Sequence, residues 1–378
     1  MTRLLTLPAL IDPHVHFRVP GAAHKEDWAS GARAALSGGV TTVLDMPNND
    51  PPVISRARLY SKRELIESQL QSGGLPLRYR LYFGATEKNW GEFKHVKNEI
   101  TAVKLFMGSS TGGLTVADEE TQRRIFAECA RLDILLAVHA EDEAEMARRQ
   151  RRFPTPAVAD HSRIRGPAVA LRAVQKALNF ARDYGTRLYI LHVSTKAEVA
   201  AVRAAKRQGL RVYAEATPHH LFLNVSAYSR LGTQAQMNPP LRQNQDQAAL
   251  WDGIHDGTID TVGTDHAPHT LSEKTRPYGE APSGVPGIET ALPLLVTALE
   301  EGRLAKDELI RLTRTNPERI FRLPPNDDTV TIDLDDVRPI EPERLKTKCA
   351  WSPFAGWQLR GFPVAVTCRG RQHDLSRL

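Results

Sequence analysis

At 378 residues, with 41% hydrophobic and 25% charged side chains, the chain has the balance of a globular protein with a large core, which argues against disorder. Its formal net charge of +6 mildly favours small anionic ligands, and no apolar run approaches the roughly 20 residues that span a bilayer. Cys129, Cys349 and Cys368 are odd in number and have no short paired spacing, so neither a thiolate zinc site nor a disulfide framework is suggested.

The first residues, MTRLLTLPALIDPH, lack a long apolar region and a small-residue cleavage site, so the chain reads as cytoplasmic, with no membrane partner. Apolar runs bounded by turn signals then follow in order: LPALIDPHVHF (7–17), VTTVLDMP (40–47), LRYRLYFGAT (77–86), ITAVKLFM (100–107), ILLAVHA (134–140), RLYILHVS (187–194), RVYAEATP (211–218) and IDTVGTDHA (259–267). Between them lie segments with apolar residues at three- and four-residue spacing: EDWASGARAALSGG, SRARLYSKRELIESQL, DEETQRRIFAECARL, GPAVALRAVQKALNFARDYG and TKAEVAAVRAAKRQG. Strands alternating with helices predict a parallel sheet, and eight units predict closure into an α/β TIM-type (β/α)8 barrel over residues 8–321. The basic run at 148–152 (RRQRR) has no aromatic interleaving and reads as a solvated helix face, not a nucleic-acid site. Beyond 321, PPNDDTVTIDLDDVRPI is acidic and strand-like, and WSPFAGWQLRGFPVAVTCRG offers two short strands. Residues 322–378, with 1–7 able to pair with them, are expected to form a small β appendage.

Chemistry-bearing side chains gather at the ends of the strand-like runs. In His14-Val15-His16 the period of two puts both imidazoles on one side of an extended strand, which suits two ligands to one ion, although the pair alone also fits surface or core histidines. His139, His192 and Asp265 each close a further run, and strands converging on one barrel rim bring such residues together. Lys104 also sits at a strand end. It is either an amphipathic lysine with its head in solvent, or a desolvated, neutral amine that captures carbon dioxide as a carbamate and so gains a bridging carboxylate. Four imidazoles, one carboxylate and one bridge are enough for two cations, with zinc favoured because imidazole dominates. Two such ions would activate a hydroxide between them, and Asp265 could take its proton and pass it to a leaving amide nitrogen. The implied chemistry is metal-assisted amide hydrolysis or its reversal as cyclisation.

The segments IDPHVHFRVPG, MPNN, KLFMGSST, VHAED, LHVST, EATPHHL, NPPLR and GTDHAPHTLSEK together resemble the dihydroorotases of the amidohydrolase superfamily, over nearly the whole chain. The resemblance implies reversible, zinc-dependent cyclisation of N-carbamoyl-L-aspartate to L-dihydroorotate and water in pyrimidine (UMP) synthesis. It implies that His14 and His16 hold one zinc, His139 and His192 the other, that Lys104 is the bridging carbamate, and that Asp265 is ligand and proton shuttle. Glu215 stands where some members place an extra zinc, with a structural carboxylate as the alternative; His219 and His220 read as packing or orienting residues. Arg18, Asn48 and His269 would bind the substrate carboxylate, Asn238 and the backbone near Gly284 the ring, and Thr111 in the glycine-rich GSSTGG segment would act from a lid. Many superfamily members carry a longer N-terminal β segment, so the appendage here is expected to be small and mostly C-terminal. A homodimer acting on this small molecule is the expected assembly. Hydantoinases, dihydropyrimidinases and allantoinases share the metal residues, so the carboxylate-binding trio is what separates the readings. A scaffold homologue that has lost its metals is the non-enzyme alternative, and it would show broken ligands.

Overall fold

The computed structural model describes residues 3–110 and 113–375. The chain enters through β1 (Leu4–Pro8) and then lays down eight parallel strands, each paired with the next: β2 (Leu10–Val15), β3 (Val40–Asp45), β4 (Arg78–Gly84), β5 (Ala102–Phe106), β6 (Leu136–His139), β7 (Leu188–Ile190), β8 (Val212–Ala216) and β9 (Thr261–Val262). Each falls inside one of the eight runs read from the sequence. The ring closes between the last strand and the first. Val15 bridges His266, the His16 amide donates to the His266 carbonyl at 2.8 Å, and Asp12 accepts from the Thr264 amide at 3.0 Å. The outcome is the expected (β/α)8 barrel.

Helices over Trp28–Ser37, Arg56–Ser72, Glu119–Leu132, Pro167–Tyr184 and Lys196–Arg207 cover the outside. Their starts are marked by local chemistry: Asp27, Ser55, Asp118 and Thr195 each cap the first turn by accepting a backbone N–H. With helices on one face and side chains filling the other, the strands are apolar throughout rather than alternating. Period two still sorts their faces. Val103, Leu105 and Val138 pack toward the helices, whereas Ala102, Ala137, Tyr82 and Tyr189 fill the barrel with Ile11 and Phe321. Lys104 and His139 stand two residues beyond Ala102 and Ala137, so the same alternation carries them inside the barrel, at its C-terminal mouth.

After the barrel, β10 (Thr329–Pro339), β11 (Gln358–Cys368) and β12 (Arg371–Asp374) join β1 in an antiparallel sheet of order β1-β10-β11-β12. The residues before the barrel do pair with the tail, with Leu7 opposite Val330. The segment expected to give two short strands instead gives the 11-residue β11. Gly361 explains why a glycine there does not end the strand: a Cβ would lie 2.1 Å from Val296 Cγ1, so its absence lets the sheet press onto the buried helix Ala291–Glu300. Leu7, Val330, Ile332 and Val366 share one hydrophobic core with Leu292 and Val296 of that helix. Among the described residues no helix is long and apolar enough to cross a membrane.

One buried ion pair fixes the turn after β3. Lys62 and Asp45, both essentially without solvent contact, are in direct contact; the Lys62 ammonium also donates to Met46 O (2.9 Å) and Asn49 Oδ1 (2.6 Å), and Asp45 accepts from the Phe17 amide at 2.8 Å. The pair therefore ties the MPNN turn to the segment just beyond β2, where Phe17 follows His16. Removing one partner leaves a buried charge unmatched. Lys62→Met is expected to lower stability by about 3–5 kcal/mol, read from the urea midpoint; an unchanged midpoint would mean that this pair does not hold the turn.

Candidate active site

Three of the expected residues meet at one point: His14, His16 and Asp265 have ligand atoms all within 4.8 Å of one another. Asp265 Oδ1 lies 3.1 Å from His14 Nε2 and 3.1 Å from His16 Nε2. On the opposite wall His139 Nδ1 is 3.0 Å from His192 Nε2. Lys104 lies on the wall of the same narrow cavity, which Arg18, Asn48, Phe106, Ser110, Asn238 and Gly284 also line. Arg18, His192 and Asp265 have φ of 61°, 39° and 46°, a region that non-glycine residues occupy at a cost, and such strain clusters where side chains must be aimed.

Three of the four imidazoles that line the cavity are held from behind. Glu215 Oε1 is 2.8 Å from His14 Nδ1, Asn48 Oδ1 is 2.9 Å from His16 Nδ1, and Glu141 Oε2 is 3.0 Å from His139 Nε2. These oxygens can only accept, so each fixes a proton on the outer nitrogen and turns the other nitrogen inward. Glu141, which the sequence reading did not single out, is fully buried and in contact with the Arg165 guanidinium. Its signal was its place in VHAED, two residues beyond His139. Glu215 lies beneath the cavity wall instead of on it, and also takes hydrogen bonds from Tyr189 Oη (2.9 Å) and the His192 amide (3.1 Å). These bonds occupy both oxygens of Glu215. His220, in the short helix Pro218–Phe222, lies 2.7 Å from Thr217 Oγ1 and 3.1 Å from Pro239 O, so it links that helix to the segment after Asn238.

Burial sets most of the electrostatics. It lowers Lys104 to about 7 despite the nearby Asp265 and Glu215 carboxylates, so that a large fraction is neutral amine near neutral pH. No hydrogen bond to its Nζ is found among the described residues; the ammonium end rests 4.5 Å from the Phe106 ring centroid. Burial lowers His16 to about 3 and holds His192 well below the usual imidazole range. His14 goes the other way. Burial disfavours its charge, but Asp265 and Glu215 on either side raise its pKa above the usual value, and what favours a proton there favours any cation.

A second group of residues lies outward of the imidazoles. Buried Arg18 donates through Nε to Pro268 O at 3.0 Å, and its Nη2 is 3.1 Å from His269 Nε2. His269 stands behind Arg18 and not on the cavity wall itself, with Nδ1 3.0 Å from Lys25 Nζ. Asn238 is oriented by His161, whose Nε2 is 3.0 Å from Asn238 Oδ1. Thr111 lies outside the described residues; its neighbour Ser110 lines the cavity. A larger cavity of about 580 Å³ opens at the other end of the barrel between Arg63, Arg78, Arg80 and Pro324, but no imidazole lines it.

Eight parallel strands with buried imidazoles, a carboxylate and a lysine at their C-terminal mouth define a barrel hydrolase. The sequence model of the amidohydrolase family matches residues 5–326. A dihydroorotase of Methanosarcina mazei is 37% identical over 388 residues, covering 97% of this chain and 83% of its own, and one of Halobacterium salinarum is 37% identical over 380 residues, covering 96% and 85%. Among solved structures, an L-hydantoinase (dihydropyrimidinase) from Arthrobacter aurescens superimposes with a TM-score of 0.92 at 25% identity, covering 97% of this chain and 85% of that one. The chain belongs to the amidohydrolase family, among its dihydroorotases.

Gly284 shows how tightly the outer wall is built. Its φ is +135°, and a Cβ would meet Ala267 O at 2.7 Å and Ala267 Cβ at 2.9 Å, so only glycine fits without moving the wall. Gly284→Ala is expected to cost on the order of 1–3 kcal/mol in backbone strain and to reduce turnover, measured by denaturation and steady-state rates. Wild-type values for both would show that the wall yields.

Proposed function

We propose that this chain interconverts N-carbamoyl-L-aspartate and L-dihydroorotate, working reversibly as a zinc-dependent dihydroorotase of pyrimidine synthesis in the cytoplasm, as a homodimer. The observation that carries the reading is the juxtaposition of two opposed environments in one cavity: imidazoles and carboxylates that attract cations on the inner side, and Arg18 backed by His269 on the outer side. A cyclic amide bearing a carboxylate matches that division, and an uncharged hydantoin does not.

The donor set fits a zinc pair. Imidazole nitrogens turned inward by Glu215, Asn48 and Glu141 are the usual ligands of zinc, and a carboxylate among them completes a borderline-soft site. His14 and His16 would hold one ion, His139 and His192 the other, with Asp265 a further ligand. Lys104 would link the two as a carbamate: its neutral amine adds to carbon dioxide, a C–N bond forms, and one N–H proton is released to solvent. When bound, the ions would acidify the attacking water and polarise the amide carbonyl.

The chain's own groups do the rest. Arg18 stays charged even though burial lowers it to about 10, so its guanidinium can fork onto the substrate carboxylate. Asn48 would share that seat with His269 backing Arg18, and Asn238 and the Gly284 backbone would hold the ring. Asp265 is pulled well below the usual carboxylate range because His14, His16 and His192 outweigh the effect of burial. As an anion it would take the proton of the attacking water at Oδ1 and return it to the amide nitrogen as the C–N bond breaks, or run the same transfer in reverse during cyclisation.

Asp265→Ala should abolish turnover of both substrates while leaving the folded circular-dichroism spectrum intact. Wild-type protein that hydrolyses an uncharged hydantoin but does not interconvert carbamoyl aspartate and dihydroorotate would overturn the assignment in favour of a cyclic amidase of the hydantoinase kind. For the metal, Glu215→Gln is expected to weaken zinc retention by about 10–100-fold, because a neutral amide oxygen anchors the His14 Nδ1–H less strongly than a carboxylate, measured by competition with a chelator; unchanged retention would show that Glu215 does not tune this ligand.

A further inference from the structure

Behind the proposed carboxylate seat lies a chain of donors whose order can be worked out from what each group is able to do. Lys25, about one-sixth exposed, places its Nζ 3.0 Å from His269 Nδ1 and 3.0 Å from Glu273 Oε1. The other ring nitrogen, Nε2, lies 3.1 Å from the Ser283 carbonyl and 3.1 Å from Arg18 Nη2. An ammonium only donates, so Nδ1 must be the bare, accepting nitrogen; a backbone carbonyl only accepts, so Nε2 must carry the proton. The two contacts demand the same tautomer independently. The imidazole is neutral, its pKa held far below the usual range by burial and then by Arg18, Lys25 and Lys274. Arg18 Nη2–H and His269 Nε2–H are then two donors 3.1 Å apart, neither able to accept from the other.

We infer that Lys25 is a positioning residue, which locks His269 in the Nε2–H form bonded to the Ser283 carbonyl, so that His269 cannot accept from Arg18 and the guanidinium stays open to the substrate carboxylate. The inference deepens the functional reading above and rests on its assignment of that seat. Without the Lys25 ammonium, the opposite tautomer becomes available: Nδ1 takes the proton, Nε2 accepts from Arg18, and the pair satisfies itself instead of waiting for an anion. Glu273 supports the arrangement by holding Lys25, and its nearest oxygen is 4.0 Å from Nδ1, beyond hydrogen-bonding reach, so it does not compete for that nitrogen. Lys25 carries no signal in the sequence, because it belongs to no strand end or quoted motif and lies just before the helical pattern that opens at Glu26.

The test uses the zinc-loaded, full-length protein with 15N-labelled histidine. Long-range proton–nitrogen correlation should find His269 as the Nε2–H tautomer in the wild type, moved toward Nδ1–H in Lys25→Met and returned in Lys25→Arg. Steady-state kinetics should follow the same order: Lys25→Met raises KM for dihydroorotate by about tenfold or more, the weight of one charge-assisted hydrogen bond, with a smaller change in kcat, and Lys25→Arg restores most of it. An Nδ1–H tautomer in the wild type overturns the proposal, as does a Lys25→Met protein with unchanged tautomer and KM. Failure of the functional reading would look different: the wild type itself would not turn over dihydroorotate, while the tautomer measurement would still decide the role of Lys25.

Discussion

Asp265 is a carboxylate at the mouth of a barrel, with Oδ1 3.1 Å from the Nε2 of both His14 and His16, and much of the molecule is arranged to make that burial tolerable. An isolated carboxylate removed from water costs many kcal/mol, so it persists only with partners, and the partners must themselves be satisfied. His14 is held from behind by Glu215, and Glu215, without solvent contact, is held by Tyr189 and the His192 amide. His16 is held by Asn48, whose turn is fixed by the Lys62–Asp45 pair. Closure of the barrel supplies the first condition. β2 and β9 meet through Asp12, Thr264 and His266, and so bring the first strand's histidines to the last strand's aspartate.

From that centre the charge of the cavity is graded. Its inner side gathers Asp265, Glu215 and Glu141 around imidazoles, an arrangement that lowers the energy of a cation; its outer side gathers Arg18, Lys25 and Lys274, which lowers the energy of an anion. A ligand that carries a carboxylate at one end and an electrophilic carbonyl at the other has one favourable orientation in such a gradient. Orientation is a large part of catalysis, since a correctly placed pair of reactants avoids the entropy of finding one another.

The groups at the strand ends were legible from the sequence and the groups that hold them from behind were not, for a physical reason. His14, His16, Lys104, His139, His192 and Asp265 all close apolar strand runs, and in a parallel barrel a strand end is already an address in three dimensions. Helices and turns carry no such address. Glu141 was visible only as part of a quoted motif, Glu215 was readable as a strand-end carboxylate but its choice of partner was not, and Lys25 reaches His269 across 244 positions of sequence. The eight strands were found because continuous apolar character survives any detail of packing. The length of β11 was misread because Gly361 looks like a turn residue until the helix it must approach, Ala291–Glu300, is in place.

The C-terminal sheet also acquires a role that its position far down the chain conceals. The segment between β10 and β11 reaches back over the outer side of the cavity: Trp351 donates through Nε1 to the His269 carbonyl at 2.7 Å, the Lys348 amide donates to Glu26 at 3.2 Å, and the Lys346 amide to Glu289 at 2.8 Å. It thus fastens both ends of the Lys25–His269 contact, one through the residue beside Lys25 and the other through the backbone of His269 itself. Anchoring them on a sheet that shares the barrel's core, instead of on a free loop, keeps the donors of the outer side at fixed separation. A guanidinium whose neighbours cannot accept from it keeps its remaining donors for an anion.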